Sequence, residues 1–147
     1  RLAGDEHPGA GALAGLRTAL RAARHETVLV LACDLPFVCL PLLEHMLGLA
    51  PEADAVVPRW HGEFEPLHAV YRRTCLSAIE RSLDEGRRRM ISFLPAVRLT
   101  VVEDDQVAAY DPQGLTFFNV NTPDDLRAAE RILAGADHPA QAPPEDR

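Results

Sequence analysis

Thr27-Val-Leu-Val-Leu-Ala-Cys-Asp-Leu-Pro36 decides the fold. From Val28 to Cys33 no polar residue interrupts the run. A strand with one wet face alternates apolar and polar residues, whereas a strand covered on both faces does not, so Thr27–Cys33 reads as the central strand of a parallel sheet flanked by helices. The run is far too short to span a bilayer. Pro36 cannot continue a strand ladder, which leaves Asp34 just past the strand's carboxyl end.

Working outward, Leu13, Leu16 and Leu20 share one face of a helix over Leu13–Ala23. Downstream, Pro41–Leu49 reads as a proline-started helix and Ala55–Pro58 as a strand. Trp60-His-Gly-Glu63 has turn chemistry and predicts a β-excursion at the sheet edge, returning through Leu67–Tyr71. Thr74–Glu85 predicts a helix stopped by Gly86, Leu99–Glu103 a strand, and Thr116–Val120 another. The best-marked start is that of Pro123–Leu133, where Thr122 caps, Pro123 opens and Asp124-Asp125 complement the dipole.

Alternation of helix and strand gives an α/β fold: a three-layer α/β/α sandwich around a mostly parallel, Rossmann-like sheet. Residues 1–134 form one domain, and the Ala-, Pro- and charge-rich residues 135–147 are expected to be a disordered tail. Such a sheet ordinarily opens with a strand and a nucleotide-binding turn, yet this sequence opens in a loop before a helix. Its first βα units are therefore expected upstream.

At 147 residues the chain suffices for one hydrophobic core, and 47% hydrophobic with 25% charged residues is globular composition. A net charge of −7 disfavours nucleic acid as a partner. The first residues lack the charged and apolar segments of a secretion signal, which predicts a cytoplasmic protein with no membrane partner. Cys33, Cys39 and Cys75 form no paired motif and are read as buried thiols rather than a disulfide or zinc framework.

In open α/β sheets ligands bind at the carboxyl ends of strands, so Asp34 is the first candidate. A carboxylate there can hold Mg²⁺ against nucleotide phosphates, and serves equally well to cap the turn through its own backbone. Asn119 and Asn121 stand two apart at the end of another predicted strand, on one face, with amides suited to a polar ring or phosphate. The bland alternative is a loop that serves the helix start at Thr122. The glycine-rich Gly9–Gly15 segment can bring backbone N–H groups to a phosphate, and Arg87-Arg88-Arg89 is either a solvated face or an anion receiver. His68 lines the site or packs in the core.

Five segments, taken together and in order, resemble the molybdenum cofactor guanylyltransferases: Gly11-Ala-Leu-Ala-Gly15, Ala32-Cys-Asp-Leu-Pro36, Glu65-Pro-Leu-His-Ala-Val-Tyr71, Gly86-Arg-Arg-Arg89 and Phe117-Phe-Asn-Val-Asn-Thr-Pro-Asp-Asp-Leu126. The resemblance spans residues 5 to 133. It implies transfer of GMP from GTP to the phosphate of molybdenum-molybdopterin, with release of pyrophosphate. By the same resemblance Asp34 holds Mg²⁺ as the catalytic residue, Asp5 and Gly15 lie at the nucleotide, Asn119 and Asn121 contact the pterin side, and Arg88 is a candidate for its phosphate. Transient contact with molybdoenzymes or their chaperones is implied as well.

The related cytidylyltransferases usually carry aspartates where Asn119 and Asn121 stand. Cytidylyl or sugar-phosphate transfer on the same fold is the first alternative, and a non-catalytic molybdopterin-binding module the second. Ala12 replaces the family's usual proline. The family's glycine-rich triphosphate loop has no counterpart in this sequence. About 60 residues, two βα units, are thus expected ahead of residue 1, and the 147-residue chain alone is expected to be inactive.

Overall fold

The computed structural model describes residues 11–135. Along the chain run α1 (Ala12–Ala22), β1 (Thr27–Leu31), α2 (Leu40–Leu49), β2 (Ala55–Trp60), β3 (Glu63–Phe64), β4 (His68–Arg72), α3 (Leu76–Asp84), β5 (Leu99–Val102), α4 (Asp104–Ala108) and α5 (Pro123–Leu133). The sheet is mixed. β1, β2 and β5 run in one direction, while β4, inserted between β1 and β2, and the short β3 run against them.

The period of two along each strand divides the core into two layers. Ala55, Val57, Ala69 and Tyr71 face α1 and α3, meeting Leu13, Leu16, Leu20 and Ile79, with Phe93 beside them. The alternate residues Val56, Val70 and Val102 face α2 and α4, meeting Leu42, Leu43, Met46 and Val107. Because both faces are covered, the strands read as unbroken apolar runs, and the α/β/α sandwich is the one the sequence predicts. Burying side chains such as Leu13, Leu20, Met46 and Ile79 contributes about 2 kcal/mol each.

Three expectations are corrected. First, β1 is not central: among the described residues it pairs with β4 alone, and the middle of the sheet is β2, which pairs with β3, β4 and β5. Second, Thr116–Val120 is no strand. Leu115–Phe117 forms a 3₁₀ turn, Phe118 is extended, and residues 118–120 belong to no strand. Gly114 sets this course with φ 63°, and a Cβ there would lie 2.3 Å from the Trp60 indole, so only glycine fits. Third, of the cysteines only Cys75 is buried; Cys33 is exposed and Cys39 half-buried.

The helix start at Thr122 is as expected. Its hydroxyl accepts the Asp125 N–H at 3.2 Å, and the Asp125 carboxylate accepts the Thr122 N–H at 2.8 Å. The turn at His61-Gly62, both at positive φ, closes the β2–β3 hairpin. Asp5 and residues 136–147 of the expected tail lie outside the described residues.

Candidate active site

Three segments converge at the carboxyl end of β1. The first continues β1 itself, where Ala32 N–H donates to Leu67 O at 2.8 Å and Asp34 follows. The second approaches β4: the antiparallel register sets Leu31 opposite His68, which carries Glu65, Pro66 and Leu67 alongside residues 32–34. The third is the stretch after the 3₁₀ turn, tied down by Val120 N–H donating to Asp34 O at 2.9 Å and by an edge-to-face contact of Phe118 with Phe37, centroids 5.8 Å apart.

These segments enclose a cavity of about 230 Å³ in which Asp34, Glu65 and Asn119 stand among the apolar Ala32, Leu67 and Met90. Among the described residues, none of the three polar side chains has a hydrogen bond or ion pair. Unsaturated carboxylates in a cleft are available for ligand. Burial, with the negative charge of Glu63 added, raises the pKa of the Glu65 carboxyl. A cation bound beside it would offset both effects and favour the ionised carboxylate.

A larger hollow of about 410 Å³ adjoins the site beyond Pro36, walled by Phe37, Val38, Tyr110, Pro112 and Leu115. Size alone does not mark the chemistry. Its one carboxylate, Asp111, already accepts the Thr116 N–H at 2.7 Å, so the smaller cavity is the better candidate.

Of the residues expected at the site, Asp34 and Asn119 share the cavity. Asn121 does not line it; the residue is exposed, and its backbone N–H donates to Asp125 at 3.0 Å. Arg88 is exposed too, two residues before the cavity-lining Met90, while its neighbour Arg87 pairs with Glu85 at 2.5 Å. Gly15 lies in the first turn of α1, within the helix rather than in a loop ahead of it. Glu65 was missed as a site residue. The sequence shows its charge beside Pro66, but only the antiparallel insertion of β4 brings it against Asp34.

Among the described residues no group of three His, Cys, Asp or Glu is placed to cage a metal. Two carboxylates and an amide oxygen suit a hard cation that completes its coordination with phosphate oxygens and water, as Mg²⁺ does. The donor set fits.

Comparison with known proteins gives a concordant picture. Residues 1–99 match the model of the MobA-like NTP transferase domain. The chain is 40% identical over 134 residues to a probable molybdenum cofactor guanylyltransferase of Pelotomaculum thermopropionicum, covering 91% of this chain and 65% of that protein. It is 35% identical over 124 residues to the molybdenum cofactor guanylyltransferase of Desulfosudis oleivorans, covering 84% and 61%. The crystal structure of molybdopterin-guanine dinucleotide biosynthesis protein A from Archaeoglobus fulgidus superposes with TM-score 0.74 at 34% identity, over 89% of this chain and 67% of that one. The chain thus spans just under two thirds of the length of the two curated relatives.

Proposed function

From the premise that the chain belongs to the family of MobA-like NTP transferase domains, we propose that it transfers GMP from GTP to the phosphate of molybdopterin, releasing pyrophosphate. One observation carries this reading: Asp34, Glu65 and Asn119, all unsaturated, meet in one cavity at the carboxyl ends of the strands. That is where open α/β sheets bind nucleotides.

Asp34 and Glu65 would hold the divalent ion. Mg²⁺, when bound, would neutralise the charge of the triphosphate. Asp34, at the end of a strand anchored through Ala32, fixes one end of the nucleotide phosphates, and Asn119 offers an amide to the acceptor side. Asn121 and Arg88 extend that side toward the pterin, with Gly15 and Asp5 assigned to the nucleotide. An acceptor phosphate oxygen forms a bond to the α-phosphorus as the bond from that phosphorus to the pyrophosphate oxygen breaks. In-line positioning is what the chain must supply, since such transfer needs no protein nucleophile.

The reading carries a cytoplasmic location and transient contact with the molybdoenzymes that receive the product. Among the described residues no helix is long and apolar enough to cross a membrane.

Calorimetric titration with Mg-GTP and, separately, molybdopterin tests the proposal, with Asp34→Ala and Asn121→Ala as controls. The expected result is GTP binding lost in Asp34→Ala and pterin binding lost in Asn121→Ala. Tighter binding of CTP than GTP would move the assignment to cytidylyl transfer. Binding of pterin without turnover would support a non-catalytic module, and binding of neither ligand would overturn both.

A further inference from the structure

The Asp34 loop and the Asn119 segment are laced together residue by residue. Asp34 O accepts from Val120 N–H at 2.9 Å, Phe37 meets Phe118, and Cys39 N–H donates to Thr116 Oγ1 at 3.3 Å. The pairs 34 with 120, 37 with 118 and 39 with 116 describe two antiparallel segments, held outside the sheet by side chains as much as by backbone. Thr116 anchors the far end.

Thr116 is wholly buried, at 0% exposure, and three groups grip it. Its N–H donates to the Asp111 carboxylate at 2.7 Å, its hydroxyl accepts from Cys39, and the same hydroxyl lies 3.3 Å from His68 Nε2. His68, 1% exposed, is the first residue of β4 and sits opposite Leu31, so it roots the hydroxyl in the sheet beneath the site. Phe117 packs on the His68 ring edge-to-face, 5.2 Å between centroids. Neither His68 nor Thr116 lines the cavity that holds Asp34, Glu65 and Asn119. Any effect they exert on chemistry is indirect.

We propose that Thr116, rooted in β4 by His68, is a positioning residue that fixes the spacing between Asp34 and Asn119, and thereby between the nucleotide-holding and acceptor-holding halves of the site. The proposal rests on the functional reading above for its catalytic consequence, though not for the lacing itself. Spacing is the quantity that in-line transfer depends on, because a reacting atom displaced by about 1 Å can cost two orders of magnitude in rate. Among the described residues, the Thr116 hydroxyl is the one side-chain group that bonds both the loop and the sheet. Among the described residues, removing it leaves the backbone bond between Asp34 and Val120 as the sole hydrogen bond across the two segments.

Thr116→Val removes the hydroxyl at constant shape and Thr116→Ser restores it, which separates the bond from the packing. Amide exchange, read at Cys39, Val120 and, as a control, Val56 and Val57 in β2, needs no activity. The expected outcome for Thr116→Val is exchange faster by about tenfold at Cys39, faster at Val120 and unchanged in β2, with Thr116→Ser close to wild type; about 1.4 kcal/mol of lost local bonding corresponds to such a change. In turnover with Mg-GTP and molybdopterin, kcat should fall about tenfold with KM for Mg-GTP unchanged.

Wild-type protection at Cys39 and Val120 in Thr116→Val would overturn the proposal. So would a uniform rise of exchange across β2 with kcat intact, which is the mark of a merely structural residue. Absence of turnover in the wild-type chain, which alone is expected to be inactive, leaves the exchange measurement to decide the lacing on its own.

Discussion

The two ends of the sheet treat an aspartate in opposite ways. At the amino ends of β2 and β5, Asp54 is saturated: its carboxylate accepts from the Thr74 hydroxyl at 2.7 Å, from Arg98 N–H at 3.0 Å, and from the Arg98 guanidinium through Nε and Nη2, both at 3.1 Å. At the carboxyl end of β1, the Asp34 carboxylate has no partner among the described residues, and Glu65 and Asn119 beside it have none either. A saturated carboxylate joins elements; an unsaturated one waits for a ligand. The first pins β2, β5 and the chain after β4 together, and the second sits where nucleotides bind in this class of sheet.

The sharpest way to break this contrast is to remove each charge in turn. Asp34→Ala should reduce turnover by about a hundredfold or more while leaving the unfolding free energy within about 0.5 kcal/mol of wild type, as paired kinetic and urea measurements would show. Loss of stability with activity intact would reverse the roles assigned here. Gly114→Ala comes next, since it forces a side chain into a left-handed backbone and against Trp60; a loss of about 3 kcal/mol in urea unfolding is expected.

Asp54→Asn should cost about 2 kcal/mol, less than the count of bonds suggests because the Arg98 side chain is 63% exposed and solvent screens its share. Turnover of the folded variant should be unchanged. The hydrogen bonds from Arg98 and Thr74 hold the Asp54 carboxyl well below its ordinary value of 3.8. With a lowered folded-state pKa, its contribution is fully present above pH about 4 and drains away as acidity approaches that lowered value. The variant should show a shallower acid loss in that window.

Per pH unit, His68 gives the smallest effect, and it lies at the opposite end of the sheet. Burial, opposed in part by the nearby Asp111 charge, lowers its pKa from 6.5 to about 4. Because the unfolded ring takes up a proton below 6.5 and the folded ring resists, stability should fall by roughly 1 kcal/mol per pH unit from 6.5 toward 4. In His68→Gln that slope should vanish; a slope that persists would assign it to other groups.

What the sequence disclosed follows the same division. Local signals read true in part: the unbroken run at Thr27–Leu31 formed a strand, though its residues are half-buried and Leu31 is exposed, and Thr122, Pro123 and Asp125 marked the start of α5 to the residue. Order in the sheet did not, because nothing in an apolar run says which neighbour it takes; β4 entered antiparallel between β1 and β2. The apolar, β-branched look of Thr116–Val120 suggested a strand, yet Gly114 and the buried bonds of Thr116 bend it into a turn. α4 escaped notice at five residues, although Glu103 and Gln106 carry its capping box. That Asp34 and Asn119 line one cavity was legible from their place at the carboxyl ends of predicted strands. Glu65 was not, since its role arises from pairing alone.

Binding of a paramagnetic nucleotide complex tests the central claim most directly. With Mn-GTP added to isotopically labelled protein, the amide signals of Ala32, Asp34, Glu65 and Asn119 should broaden first, while those of Asp54, Thr74 and Arg98 stay sharp. Broadening centred on Asp54, or none anywhere at saturating Mn-GTP, would contradict it.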